Sequence, residues 1–127
     1  MALDIMAAGG MGEILAKQKA AHIRDGIPSL AQRTAWIDKS IDLLATHGEA
    51  LAQAMAEDFG HRSIDQSNLT DIAGSIGALK HSRKHMKNWM KPEKRGVEFP
   101  LGLLGSKAQV QFQPKGVVGV ISPWNFP

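Results

Sequence analysis

The chain has 127 residues, 43% hydrophobic and 21% charged, with a formal net charge of +3; this is the composition of a soluble globular domain or a piece of one. It contains no cysteine, which excludes disulfides, thiolate metal sites and any cysteine nucleophile within these residues. The first cation is Lys17, and Gly9, Gly10 and Gly12 break the opening apolar stretch. Neither a secretory leader nor a membrane span is legible there, and a cytoplasmic location is the expectation.

A first helix is expected over residues 12–24, ahead of a turn at Asp25 and Gly26. Three capping boxes then stand in order: Ser29 with Gln32 behind Pro28, Thr46 with Glu49, and Ser63 with Gln66. Each pairs a hydroxyl at a helix start with a side chain three residues on. After Ser29 the apolar residues Leu30, Trp36, Ile37, Ile41, Leu43 and Leu44 lie between Arg33, Asp38, Lys39 and Asp42 at amphipathic spacing. Thr46 predicts a restart, with Gly60 as a stop, so two consecutive helices with a bend are expected here. From Ser63, the positions Leu69, Ile72, Ile76, Leu79, Met86, Trp89 and Met90 recur at three and four and predict a long helix to about Met90. Pro92 ends it, and Gly74 and Gly77 weaken it locally.

Residues 93–106, with Pro100, Gly102 and Gly105, are expected to be loop or extended. Ala108, Val110 and Phe112 then alternate with Gln109, Gln111 and Gln113, the period of a strand with one wet face, closed by Pro114. Val117, Val118, Val120 and Ile121 alternate with nothing polar, which predicts a second strand covered on both faces, as in a parallel sheet between helices. Such a strand needs neighbours and crossovers, and these residues supply none.

Ligands of open parallel sheets bind beyond the carboxyl ends of the strands, where Ser122, Pro123, Trp124 and Asn125 would fall. The Asn125 amide can donate to a developing oxyanion, with Pro123 and Pro127 stiffening the backbone around it. Read from the residues alone, Asn125 is equally an ordinary turn asparagine. His81 and His85, four apart on a helix, could both reach one metal, but Lys80, Arg83, Lys84 and Lys87 surround them, and no metal is expected. Residues 80–95 concentrate seven basic side chains against Glu93 alone; with no recognised nucleic-acid motif, a solvated helix face is preferred to a nucleic-acid or membrane surface.

The stretch PKGVVGVISPWNFP, residues 114–127, resembles the signature of the NAD(P)-dependent aldehyde dehydrogenase superfamily. The upstream segments LAKQKAAHIRDGIPSLAQR, MAEDFGHRS and HMKNWMKPEKR are similar to its bacterial coniferyl aldehyde dehydrogenase branch. The resemblance spans about residues 12–127 and implies the N-terminal portion of a much longer α/β enzyme with a Rossmann-type cofactor domain. In that frame residues 1–106 form the helical part of the cofactor domain, 107–114 a strand of the oligomerisation domain, and 115–127 the first Rossmann strand and the start of the active-site loop. By itself the chain is expected to be mainly α-helical with two C-terminal strands.

The family oxidises an aldehyde to the acid through a cysteine thiohemiacetal, with NAD or NADP as cofactor. By resemblance Asn125 stabilises the oxyanion, and Ile121, Ser122, Pro123 and Trp124 line the nicotinamide end of the cofactor site. The aldehyde would be coniferyl or another aromatic aldehyde, and the enzyme a homo-oligomer, dimer or tetramer. The family's nucleophilic cysteine and general-base glutamate have no counterpart among these residues, so the chain alone is expected to be inactive. A rival from another class is a helical interaction module that associates through its terminal strand.

Overall fold

In the computed structural model, which describes residues 10–123 and Asn125, the elements run α1 (Gly10–Asp25), α2 (Leu30–Phe59), α3 (Ile64–Ser67), a π-helical turn (Asn68–Ala73), α4 (Gly74–Trp89), β1 (Glu93–Arg95) and β2 (Ala108–Val110). The described chain is mainly helical with two short strands, as the sequence leads one to expect. Two compact units result, one of α1 with residues 113–121, the other of residues 29–112 with the segment that begins at Ser122.

Ser29 sets the start of α2. Its extended backbone lets Oγ accept from the Gln32 amide at 3.2 Å, while Gln32 Oε1 accepts from the Ser29 amide at 2.8 Å. Two donors that the first turn would leave orphaned are thereby satisfied reciprocally. At the other end Gly60 takes φ 75°, and its amide bonds Ala56 O at 2.9 Å. A left-handed residue there closes the helix, and only glycine adopts it without a steric cost.

The expected break at Thr46 does not occur: α2 is one helix of 30 residues. An N-cap needs an extended backbone, and adopting one at Thr46 would forfeit the ladder bonds on both sides of it. The uninterrupted helix also carries Gly48 and Ala52, its buried positions, to the helical layer that follows. A Cβ on Gly48 would lie 3.2 Å from Ile72 Cγ2, so this glycine is a notch for close approach rather than a helix breaker. Ala52 and Ser67, both 0% exposed, lie at the centre of this small core. Along the same flank the exposed Arg83 of α4 donates through Nη2 to Asp38 Oδ2 of α2 at 3.1 Å.

The helix expected from Ser63 to about Met90 is present in outline. Ser63 Oγ accepts from the Gln66 amide at 3.3 Å, and Met90 caps the far end just before Pro92. It is not uniform: residues 68–73 widen to a π-helical turn between α3 and α4.

The strand expected over 107–113 is shortened to β2 and pairs antiparallel with β1 in the register Glu93 to Val110 and Arg95 to Ala108. β1 lies in the stretch expected to be loop; Glu-Lys-Arg carries no apolar alternation, and its strand conformation comes from the pairing. Both faces of this ribbon are exposed, so the one-sided cover expected for β2 is absent among the described residues. The linking residues turn on themselves, with Leu101 N bonded to Glu98 O and Ser106 N to Leu101 O.

The second expected strand, residues 117–121, is not formed. These residues pair with no strand among those described, and Val120 and Ile121 are 88% and 97% exposed. A strand exists through its ladder, and among the described residues no parallel neighbour hydrogen-bonds it. The segment instead borders α1, where Val117, Val118 and Gly119 share an apolar groove of about 440 Å³ with Met11, Ile14 and Leu15. Gly116, at φ 103°, approaches the His22 ring closely enough that a Cβ would stand 3.4 Å from Cδ2.

Candidate functional site

Two residues past the Gly60 cap, Arg62 turns its guanidinium into the packing between α2 and the next helix. Its Nε donates to Ser67 Oγ at 2.9 Å and its Nη2 to Asp71 Oδ2 at 2.6 Å. The ring of Phe59, in the last turn of α2, lies 5.6 Å from the guanidinium carbon, a cation–π distance. Only 11% of the Arg62 side chain and 7% of the Asp71 side chain is exposed. A charge this far from water is tolerable only when it is paired and its donors are satisfied, and this one is held by a carboxylate and a hydroxyl.

The acceptors come from the π-helical region. Ser67 is the last residue of α3 and Asp71 lies inside the widened turn, where Thr70 Oγ1 also bonds Asp71 Oδ2 at 3.2 Å. The remaining arm of the fork, Nη1, donates to the backbone carbonyl of Asn125 at 3.2 Å, 63 residues away in sequence. The candidate asparagine is thus tied through its main chain to a buried cation. Asn125 itself is exposed and sits in a turn.

Of the other residues singled out in the sequence, Ile121, Ser122 and Pro123 are exposed and in no regular element, and Trp124 lies outside the described residues. The rings of His81 and His85 lie tilted against each other at 4.3 Å between centroids, with Trp89 stacked on His85 at 6.0 Å. Among the described residues no group of three or more His, Cys, Asp or Glu could hold a metal ion. No helix of the described chain is long and apolar enough to cross a membrane.

Arg62, Ser67 and Asp71 escaped the sequence reading. An arginine between a glycine stop and a serine cap looks like a solvated linker residue, and its acceptors are 5, 9 and 63 positions away. Nothing in hydrophobic periodicity registers such a bond.

Residues 15–127 match the family model for the aldehyde dehydrogenase family. The chain is 58% identical over 118 residues to a probable coniferyl aldehyde dehydrogenase of Caulobacter vibrioides, covering 92% of this chain and 24% of that one. It is 48% identical over 117 residues to the coniferyl aldehyde dehydrogenase of a Pseudomonas species, with the same coverage of 92% and 24%. A more distant relative, aldehyde dehydrogenase family 3 member H1 of Arabidopsis thaliana, is 30% identical over 95 residues, 75% of this chain and 19% of that one. The chain spans about a quarter (24%) of the length of the two bacterial relatives. No solved structure matches it. A match that runs from α1 through the buried arginine fork to the Pro-Trp-Asn-Phe-Pro sequence at 123–127 makes this chain a member of the aldehyde dehydrogenase family.

Proposed function

We propose that these residues form the N-terminal portion of an NAD(P)-dependent aldehyde dehydrogenase that oxidises coniferyl aldehyde or a related aromatic aldehyde to its acid. The observation that carries this is the family match extending through the turn that holds Asn125. Support for the substrate class comes from the two bacterial relatives, a probable coniferyl aldehyde dehydrogenase and a coniferyl aldehyde dehydrogenase.

Attack of a cysteine thiolate on the aldehyde carbon converts the carbonyl oxygen to an oxyanion. In the proposed role the Asn125 side-chain amide donates to that oxygen as its charge develops, where a preorganised donor is worth most. Ile121, Ser122 and Pro123 are open along their length; Ile121 offers an apolar wall and Ser122 a hydroxyl, groups that fit the nicotinamide end of a dinucleotide, with Trp124 completing the set. The dinucleotide, when bound, supplies the hydride acceptor. Hydrolysis of the resulting thioester by a glutamate-activated water would complete the reaction, with both the thiolate and that glutamate contributed from outside these residues.

In the same proposal residues 107–114 belong to the oligomerisation sheet of a cytoplasmic dimer or tetramer, and residues 115–127 become the first strand and loop of the Rossmann sheet. The uncovered β2 and the unpaired run before Ser122 support this, since among the described residues the first is exposed along its length and the second pairs with no strand.

The test is to express the complete reading frame that contains these residues and follow reduced dinucleotide formation with coniferyl aldehyde. Activity is expected, and Asn125→Ala is expected to lower kcat by about 10² to 10³, the usual loss for one oxyanion donor. The 127 residues alone, having no cysteine, are expected to turn over no aldehyde; turnover by that piece would overturn the thiohemiacetal route.

A further inference from the structure

The chemistry proposed above assigns Arg62 nothing, yet its guanidinium, on a side chain only 11% exposed, is bonded to the candidate loop. We infer that Arg62 is a positioning residue for Asn125, acting through the peptide carbonyl rather than on substrate. This rests on the oxyanion role proposed for Asn125.

A guanidinium is a rigid plane carrying five donors in fixed directions. In Arg62 two of those directions are taken: Nε by Ser67, which is 0% exposed, and Nη2 by Asp71 at 2.6 Å. With the plane so held, the direction of Nη1 is no longer free, and it aims at Asn125 O at 3.2 Å. Anchoring that carbonyl restrains ψ of Asn125, and Pro123 two residues earlier has its φ locked by the ring. The backbone that carries the Asn125 amide is therefore constrained on both sides. A donor that must meet a developing oxyanion gains from arriving already oriented, and a misplacement of about 1 Å can cost roughly 10²-fold in rate.

A lysine could keep the charge beside Asp71 but not the three directions, because an ammonium is a compact point charge. The fork geometry is thus the feature to test, separately from the charge.

The experiment uses the full-length protein with Arg62→Gln, Arg62→Lys and Asn125→Ala singly, and the double variant Arg62→Gln with Asn125→Ala. For each, kcat and KM for coniferyl aldehyde, the dinucleotide Kd and hydrogen exchange of the peptide spanning residue 125 are measured. Both Arg62 variants are expected to lower kcat by about 10- to 100-fold with the dinucleotide Kd retained. In the Asn125→Ala background the Arg62→Gln loss should vanish, because residues acting through one another are not additive. Exchange around residue 125 should quicken in both Arg62 variants.

Equal losses in the two backgrounds, full activity in Arg62→Lys, or unchanged exchange would each overturn the inference. If Asn125→Ala is as active as the wild type, the oxyanion role fails instead, and the exchange comparison still decides whether Arg62 holds the loop. Should Arg62→Gln fail to fold, Asp71→Asn loosens the same plane without removing the fork, and the same cycle is run with it.

Discussion

At Arg62 a cost and its compensation meet in one side chain. Taking a guanidinium out of water is unfavourable by several kcal/mol, offset here by a carboxylate, a hydroxyl, a carbonyl and an aromatic face. Arg24 and Asp25 form the opposite case: the same two charged groups, bonded at 2.7 Å, lie at the exposed end of α1. There the hydrogen bond from Arg24 holds the Asp25 carboxyl below its ordinary value of 3.8. A depressed acid contributes stability that is present above its unfolded pKa and lost as pH falls through the folded one. Proton titration followed by NMR should therefore place the Asp25 midpoint below 3.8 and return it to that value in Arg24→Gln; an unchanged midpoint in the variant would remove the cause. Because this pair is fully solvated, high salt should shrink the shift. The Asp25 and Gly26 turn was legible from local chemistry, whereas Arg62 was not, since its bonds to Ser67, Asp71 and Asn125 reach 5, 9 and 63 positions along the chain and only folding gathers those acceptors.

For the elements, the sign of one substitution separates a continuous α2 from a broken one. If Thr46 capped a second helix, Thr46→Ala would cost about 1 kcal/mol. In the middle of an unbroken helix, at an exposed position, the same change should stabilise by roughly 0.5 kcal/mol, since alanine is the better helix former. A thermal melt by circular dichroism is expected to show Tm raised by about 2 °C; a lowered Tm would restore the bend. Thr46 and Glu49 carry a start signal that a helix overrides once its backbone bonds are already made on both sides. The capping box at Ser29 has no helix before it to oppose it, and there the local signal prevails. The π-helical turn at residues 68–73 has no comparable signature, and it coincides with the residues that hold Arg62. Such turns are frequent at functional sites.

At the level of the whole molecule, the described chain buries little: Ala52 is the one hydrophobic residue in the buried class, while Val120 and Ile121 stand almost fully in solvent. An unpaired apolar run of this kind is a surface waiting for cover. The 127-residue chain is expected to bind a hydrophobic dye and to associate with rising concentration. Val120→Lys with Ile121→Lys should reduce both, by fluorescence and by sedimentation; no change would mean that the association surface lies elsewhere. An interaction module that used this run would lose its partner with the same variant, whereas the enzyme reading needs the run inside a sheet, so activity of the complete protein separates the two. Sequence by itself determined the helical character of the chain, the starts at Ser29 and Ser63, the stop at Gly60 and the family, because capping, periodicity and a contiguous motif are local properties. Tertiary structure alone decided that α2 does not bend, that Glu93–Arg95 becomes a strand, that residues 117–121 do not, and that Arg62 grips Asn125. Each of those depends on a hydrogen-bond partner or packing surface that is distant in the chain or absent among the described residues, and no local pattern encodes that.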